Sequence, residues 1–400
     1  MIKLEKIVGK VISGEWGSDD ETGMGIPVLR TTNFTNEGII NYDNVVTRII
    51  TKKDISTKYL KKGDIIIEKS GGSEKQPVGR VVFFEGEDDK YLFNNFTGVI
   101  RNRRQEDFLS KYLFYSLYYG YISGKTLKYQ NKTTGLHNLK TEQYINDFEV
   151  KDIPTEEQQK IVNNIDKLNN IINFRKQQIS KLDELVKSRF IELFGDPRNN
   201  PNSFSIVTFN DCVEYMGDIG SNGANKVVVD HLDMKDEEDY ALMVRFLNFT
   251  KNDFTDDVKY VSKEAYDFFK KSQIFGGELI MCKIGSAGQN YVMPYLNRPV
   301  SLGLNQIMVR INDKTLMPYL YQYINTDYGK QLIDGCINGA VTKSITKTEL
   351  KKIPVIVPPM ELQQQFAAFV EQTDKSKLAV QQSLEQLETL KKSLMQQYFG

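Results

Sequence analysis

From Thr155 onward the apolar residues of this chain fall seven apart. Ile165, Ile172, Ile179, Val186 and Leu193 make one row, and Ile161, Leu168, Arg175 and Leu182 make a second row between them. A seven-residue repeat held this long predicts the seam of a coiled coil. The helix is expected to start after Pro154, with Thr155 placed to cap and Gln158 to close a capping box. Gly195-Asp196-Pro197 should stop it. A second such stretch carries Phe366, Val380, Leu387 and Leu394 on one row, and Val370, Leu384 and Tyr398 on the other, with Lys377 and Lys391 interrupting. About forty helical residues make a rod of roughly 60 Å. An ordinary globular helix has about 11–12 residues, so each rod needs a partner along its stripe, and the economical partner is the other rod.

The rods belong to a longer repeat. Glu156, Gln158 and Gln159 recur 205 positions later as Glu361, Gln363 and Gln364, and the same offset pairs Phe194-Gly195 with Phe399-Gly400. Arg30, Asn33, Phe34 and Thr35 recur as Arg245, Asn248, Phe249 and Thr250, and "GDIII" at Gly63 recurs as "GELIM" at Gly277. The order is kept while the offset drifts, so the chain is two copies of one module whose loops have diverged in length. Like modules in series are most simply related by a pseudo-twofold, with antiparallel helices and a globular domain at each end. The expected boundaries are a globular part at 1–153, a helix at 154–195, a second globular part at 196–357 and a second helix at 358–400.

Each globular part reads as α+β. "GIPVLRTTNF" and "YALMVRFLNF" predict buried strands; "GDIII" and "GELIM" predict short strands that open into glycine- and serine-bearing loops. The helices that follow, from Leu109 and Leu316, carry aromatic residues at core spacing. Two loop sets hold donors suited to phosphate oxygens and base edges. The first comprises Lys69, Ser70, Ser73, Lys75, Gln76 and Arg80, matched in the second copy by Lys283, Ser286, Gln289 and Asn290. The second comprises Lys125, Lys128, Asn131 and Lys132, matched by Asn338, Thr342 and Lys343. Trp16, the one tryptophan, is either an edge of the core or a stacking residue on a loop.

Composition narrows the chemistry. Net charge is zero, so global electrostatics alone does not announce a nucleic-acid binder. Two histidines and three scattered cysteines have neither metal-ligand nor disulfide spacing. The start "MIKLEKIVGK" lacks the apolar core of a signal peptide, and no apolar run reaches membrane-spanning length, which predicts a cytoplasmic protein. A DNA methyltransferase needs a glycine turn for its methyl donor and an Asn/Asp-Pro-Pro-aromatic loop for a flipped base. "VPPM" at Val357 has the prolines without the acid or amide and without the ring. No Walker lysine motif occurs.

The duplication, the "PTEEQQKIV" and "PMELQQQFA" helix starts, the "FGDPRNNP" exit and the "GDIII" strands together resemble the specificity subunit of type I restriction–modification systems, over essentially the whole chain. The resemblance implies two α/β target recognition domains separated by an antiparallel coiled coil, each domain reading half of a bipartite DNA sequence. It implies that the helices dock two methyltransferase subunits, which bind S-adenosylmethionine and methylate adenine, and that restriction subunits join them. It implies no catalytic residue, cofactor or metal in this chain. The seam would be Ile165, Leu168, Ile172, Ile179, Leu182 and Val186 against Val380, Leu384, Leu387 and Leu394. Zero net charge fits if partner subunits supply part of the phosphate clamp. Two other readings remain open on the residues alone: a single-chain DNA-modifying enzyme or nuclease, and a coiled-coil scaffold with no DNA role.

Overall fold

The protein's structure, a computed structural model, describes residues 1–52, 54–133 and 136–400, with the side chains of residues 132 and 133 outside the description. The chain forms two compact units: residues 1–176 with 382–400, and residues 177–381.

In the first unit the strand runs resolve as β1 (Ile26–Leu29), β2 (Ile65–Glu68), β3 (Ser70–Gly71) and β4 (Thr97–Ile100), followed by helix α1 (Ser110–Ile122), β5 (Gln130–Thr133) and β6 (Leu136–Leu139). One antiparallel sheet has the order Ile12–Ser13, β4, β2, Val81–Phe83. A second sheet pairs β1 in parallel with Leu92–Phe93. A ribbon of Ile2–Lys3 with Glu149–Val150 closes the unit. The long helix α2 (Thr155–Phe194) then carries the chain into the second unit.

The second unit repeats this plan with β7 (Ala241–Val244), β8 (Leu279–Cys282), β9 (Gln306–Ile311), helix α3 (Met317–Ile324), β10 (Ile337–Asn338) and β11 (Ser344–Ile345). Its first sheet has the order Val213–Gly217, β9, β8, Asn290–Val292, and β7 pairs in parallel with Val300–Leu302. Ser205–Thr208 with Pro354–Val357 closes it, and the second long helix α4 (Met360–Phe399) follows. Matching strand order in both units confirms the duplication in three dimensions.

The apolar runs in β2 and β8 have a direct cause. Alternate residues of a strand point to opposite faces. Ile65 and Ile67 face one core, with Tyr112 and Leu117, while Ile66 faces another, with Leu29 and Phe93. In the second unit Leu279 and Met281 face the core of Tyr319, and Ile280 faces that of Leu242 and Met308. Both faces are covered, so nearly every position is apolar. A buried acid opens each strand and meets an arginine across the sheet: Asp64 Oδ2 lies 2.7 Å from Arg101 Nη2, and Glu278 Oε1 lies 3.2 Å from Arg310 Nε.

The repeated Arg-x-x-Asn-Phe motif is a turn. Arg30 N and Arg245 N each donate to the side-chain oxygen of Asn33 or Asn248 at 2.9 Å. Both asparagines and the following Phe34 and Phe249 are buried. The asparagine amide supplies the acceptor that the strand end loses, as Asn does in local turns generally.

The repeated glutamine does something other than its expected capping. Gln158 accepts from Leu109 N (2.9 Å) and donates to Asp107 O (2.8 Å) and Ile153 O (2.9 Å). Gln363 accepts from Leu316 N (2.9 Å) and donates to Lys314 O (3.2 Å) and Pro358 O (2.9 Å). Both are fully buried. Each pins the start of a long helix to the start of the short helix in its own unit, because the N-terminal amides of α1 and α3 need acceptors. Gln158→Ala removes all three bonds and strands the Leu109 amide, so it should cost about 2–4 kcal/mol. Gln159→Ala, at an exposed site, should cost under about 0.5 kcal/mol. Hydrogen exchange at Leu109 together with thermal unfolding checks this; unchanged protection in the Gln158 variant would refute the pin.

Within each unit the halves of the long helices run antiparallel. In the first, Asn164 Nδ2 donates to Tyr398 Oη (3.2 Å) and Lys176 meets Glu388 (3.7 Å). In the second, Asp183 meets Lys377 (2.6 Å) and the rings of Phe190 and Phe366 lie 5.5 Å apart. The closing phenylalanine of each long helix packs on the tyrosine of a short helix: Phe399 on Tyr112 (5.5 Å) and Phe194 on Tyr319 (4.8 Å). Ile165, Leu168, Ile172 and Val380 are buried, whereas Ile179, Leu182, Val186, Leu384, Leu387 and Leu394 are half-buried. Val186 packs against the core of the second unit. Gly195 at φ +75° ends α2, its amide donating to Ile191 O (2.8 Å).

Candidate nucleic-acid interface

The two loop sets come together in each unit, and by the same bonds. In the first, β3 pairs with β6, and β6 with β5, so the loop after β2 becomes the third strand of a ribbon. Leu139 N donates to Lys69 O (2.8 Å), and the side chains of Ser70 and Asn138 are hydrogen-bonded. In the second, Ile345 N donates to Lys283 O (2.9 Å), Gly285 N to Lys343 O (3.0 Å), and Ile284 bridges Ser344. Ser70 opposite Asn138 and Ile284 opposite Ser344 are therefore equivalent pairs. Each unit presents one edge built from a loop and a two-stranded ribbon.

Side chains on the first edge divide into outward and inward sets. Ser73, Lys75, Lys128 and Asn131 are exposed, with Lys128 over the Tyr129 ring at 4.9 Å. Lys125 lies over Tyr119, whose other neighbour is Phe399, at the helix side of the unit. Lys132 falls outside the described side chains. Gln76 is tied to Asn36 Oδ1 (3.0 Å). Lys69 is half-buried; burial and the neighbouring Lys58 push its ammonium below its usual range. Arg80 turns inward, donating to Thr31 O (2.9 Å) and Phe34 O (3.0 Å) beside Glu68 at 3.6 Å. Glu68 is 4% exposed, and burial raises its carboxyl to about 7 against the opposing pull of Arg80.

On the second edge Ser286, Gln289, Asn338, Thr342 and Lys343 are exposed. Asn290 is held by Asn325 Nδ2 (2.8 Å) and Gly288 O (3.1 Å). Lys283 donates to Asp218 Oδ2 (2.7 Å), and Lys347 to Asp218 Oδ1 (2.8 Å). Burial works to raise the Asp218 carboxyl, but hydrogen bonds from Lys283, Lys347 and Ser221 prevail and hold it at about 2. The charge of Lys283 is thus already matched within the protein. Asp218 and Lys347 escaped sequence reasoning because they lie 129 positions apart with nothing local to join them. Trp16 is half-buried with the Arg48 guanidinium 4.1 Å from its ring centre, a partner that keeps it in the fold.

The three cysteines are buried and unpaired, burial raising each thiol. Among the described residues no cluster of His, Cys, Asp and Glu could hold a metal ion, and no helix is long and apolar enough to cross a membrane.

Each unit thus carries a matching polar edge on its own core. Comparisons with known proteins define the class. The profile of the type I restriction modification DNA specificity domain matches residues 4–184 and 217–389, and the chain belongs to that family. A relative from Methanocaldococcus jannaschii, described as the MjaX type I restriction enzyme specificity subunit, is 21% identical over 98% of this chain and 91% of its own. The solved S subunit of a type I system from M. genitalium has the same fold, with a TM-score of 0.56 and 13% identity over 100% of this chain and 95% of that one. A chain from a structure of type I complex assembly and conformational transition gives 0.56 at 15% identity, covering 100% and 96%. This chain is accordingly a type I specificity subunit, the non-catalytic, DNA-recognising member of its system.

Proposed function

We propose that each unit reads one half of a bipartite DNA target through its loop-and-ribbon edge. The observation that carries this reading is the edge itself: identical main-chain bonds, Lys69 O to Leu139 N and Lys283 O to Ile345 N, present different side chains in the two units. One backbone design with two side-chain sets is what two different half-targets require. The long helices set the spacing and dock two methyltransferase subunits. Those subunits hold S-adenosylmethionine and methylate adenine, and restriction subunits complete the assembly in the cytoplasm. Neutral net charge favours shared phosphate binding, because a lone DNA reader of this size gains most of its affinity from excess lysine and arginine.

Lys128, just before β5, and Lys343, just before β11, are both exposed. Lys128→Ala or Lys343→Ala, assayed in complex with the methyltransferase partner, should weaken binding on all sequences alike. Each should flatten the slope of log affinity against log salt by about one unit. Asn131→Ala and Gln289→Ala should leave the slope alone and relax preference at single base pairs, by about 1–3 kcal/mol each. Lysine variants that keep the parent slope would remove these residues from the phosphate contacts.

A further inference from the structure

The apex of the second ribbon carries a residue that polar recognition does not explain. Val341 is 97% exposed, on the loop 339–343 between β10 and β11. A single exposed apolar side chain is ordinary. This one stands at the tip of a braced projection, on the edge that faces the DNA in the reading above. The base of the ribbon is fixed to the neighbouring loop by Ile345 N to Lys283 O, Gly285 N to Lys343 O and the Ile284–Ser344 bridge. The turn is tight: Gly339 has φ +103°, and a Cβ there would lie 2.2 Å from Thr342 O. The base of the turn is thus fixed while Val341 stands exposed at its tip. Val341 has a β-branched side chain with few rotamers to lose on docking. Around it stand Asn338, Thr342 and Lys343, all exposed donors.

We infer that Val341 reads the C5-methyl group of a thymine in the half-target bound by the second unit. Apolar contact is how a protein recognises that methyl in the major groove, and a two-stranded ribbon fits there. The flanking Lys343 and Thr342 hold the backbone while the valine meets the base. The assignment is asymmetric. Counted back along the sequence from the equivalent residues Leu139 and Ile345, Val341 corresponds to Gly135, which lies outside the described residues and is a glycine, with no side chain to make this contact. The inference rests on the DNA-reading role of the edge and adds a base to it.

The test uses the specificity subunit assembled with its methyltransferase subunits, on a target mapped by methylation. Each thymine in both halves is replaced singly by uracil, which lacks only the methyl group. For the wild-type complex, one such replacement in one half should weaken binding roughly four-fold, the value of one buried methyl group. Val341→Gly should lose about the same four-fold on unmodified DNA. It should also be indifferent to uracil at that position, while keeping wild-type thermal stability and wild-type responses elsewhere. Retained sensitivity to that uracil in V341G, a wild-type complex insensitive to every uracil, or a second half-target without thymine overturns the inference while leaving target recognition intact. Loss of preference for target over scrambled DNA in the wild type would instead bring down the DNA-reading role itself.

Discussion

Exchanging residues 209–353 for the matching segment of another specificity subunit is expected to change one half of the target and preserve the other. The segment lies inside the second unit. It contains the whole of that unit's edge, the loop after β8 and the ribbon of β10 and β11. Its ends fall where Phe209 N donates to Ile353 O (2.7 Å), just inside the closing ribbon. The first unit has the same closure, Leu4 N to Phe148 O (2.9 Å), so these ends are natural joints of the repeat. A cut at residue 340 would sever the second ribbon at its apex. Nothing in the exchanged segment belongs to either long helix, so partner docking should survive. Specific sites exceed non-specific DNA by about 10³–10⁷ in affinity, so methylation of the original target should fall by at least about a thousand-fold. The donor's half-target should appear joined to the original first half. Methylation mapping in cells checks it, and survival of the full original target after the exchange sinks it.

How much of this was legible in the sequence depended on how local each signal was. The seven-residue rows, the glycine stop at Gly195 and the two copies are periodic or repeated along the chain, and reading them needs no third dimension. The buried strands β2 and β8 were legible for the same reason. Pairings across long loops were not. Gln158 looked like its own helix's cap, whereas its partners Leu109 and Asp107 lie 49 and 51 positions earlier. Arg80 and Lys283 looked like phosphate donors by residue type; the fold supplied Thr31 O, Phe34 O and Asp218 as their acceptors. The meeting of the two loop sets also lay beyond sequence pattern, because main-chain bonds such as Leu139 N to Lys69 O leave no side-chain signature.

Lengthening both long helices by four residues, after Gln177 in α2 and after Gln381 in α4, is expected to move the preferred spacer between half-targets. These positions are where one unit ends and the other begins, and both helices run through them unbroken. Each unit would keep its own antiparallel clamp: Lys176 with Glu388 on one side, Asp183 with Lys377 on the other. Insertion into α2 alone would instead put its two halves out of step with α4. Four residues add about 6 Å and a rotation of about 40° beyond one full turn. At about 3.4 Å per base pair, that length corresponds to a spacer about two base pairs longer. Holding the original spacing would then require deforming the duplex, at a cost of order 1–6 kcal/mol. Methylation at the original spacing should therefore fall roughly five-fold or more, since about 1 kcal/mol is a factor of about five. The competing account makes the helices a dock alone, with spacing set by the methyltransferase subunits they carry. It predicts assembly and methylation at the original spacing only. The two accounts part on one measurement, methylation of a set of targets whose spacer varies by single base pairs, and a variant that assembles yet keeps the parental optimum rules out the helices as the ruler.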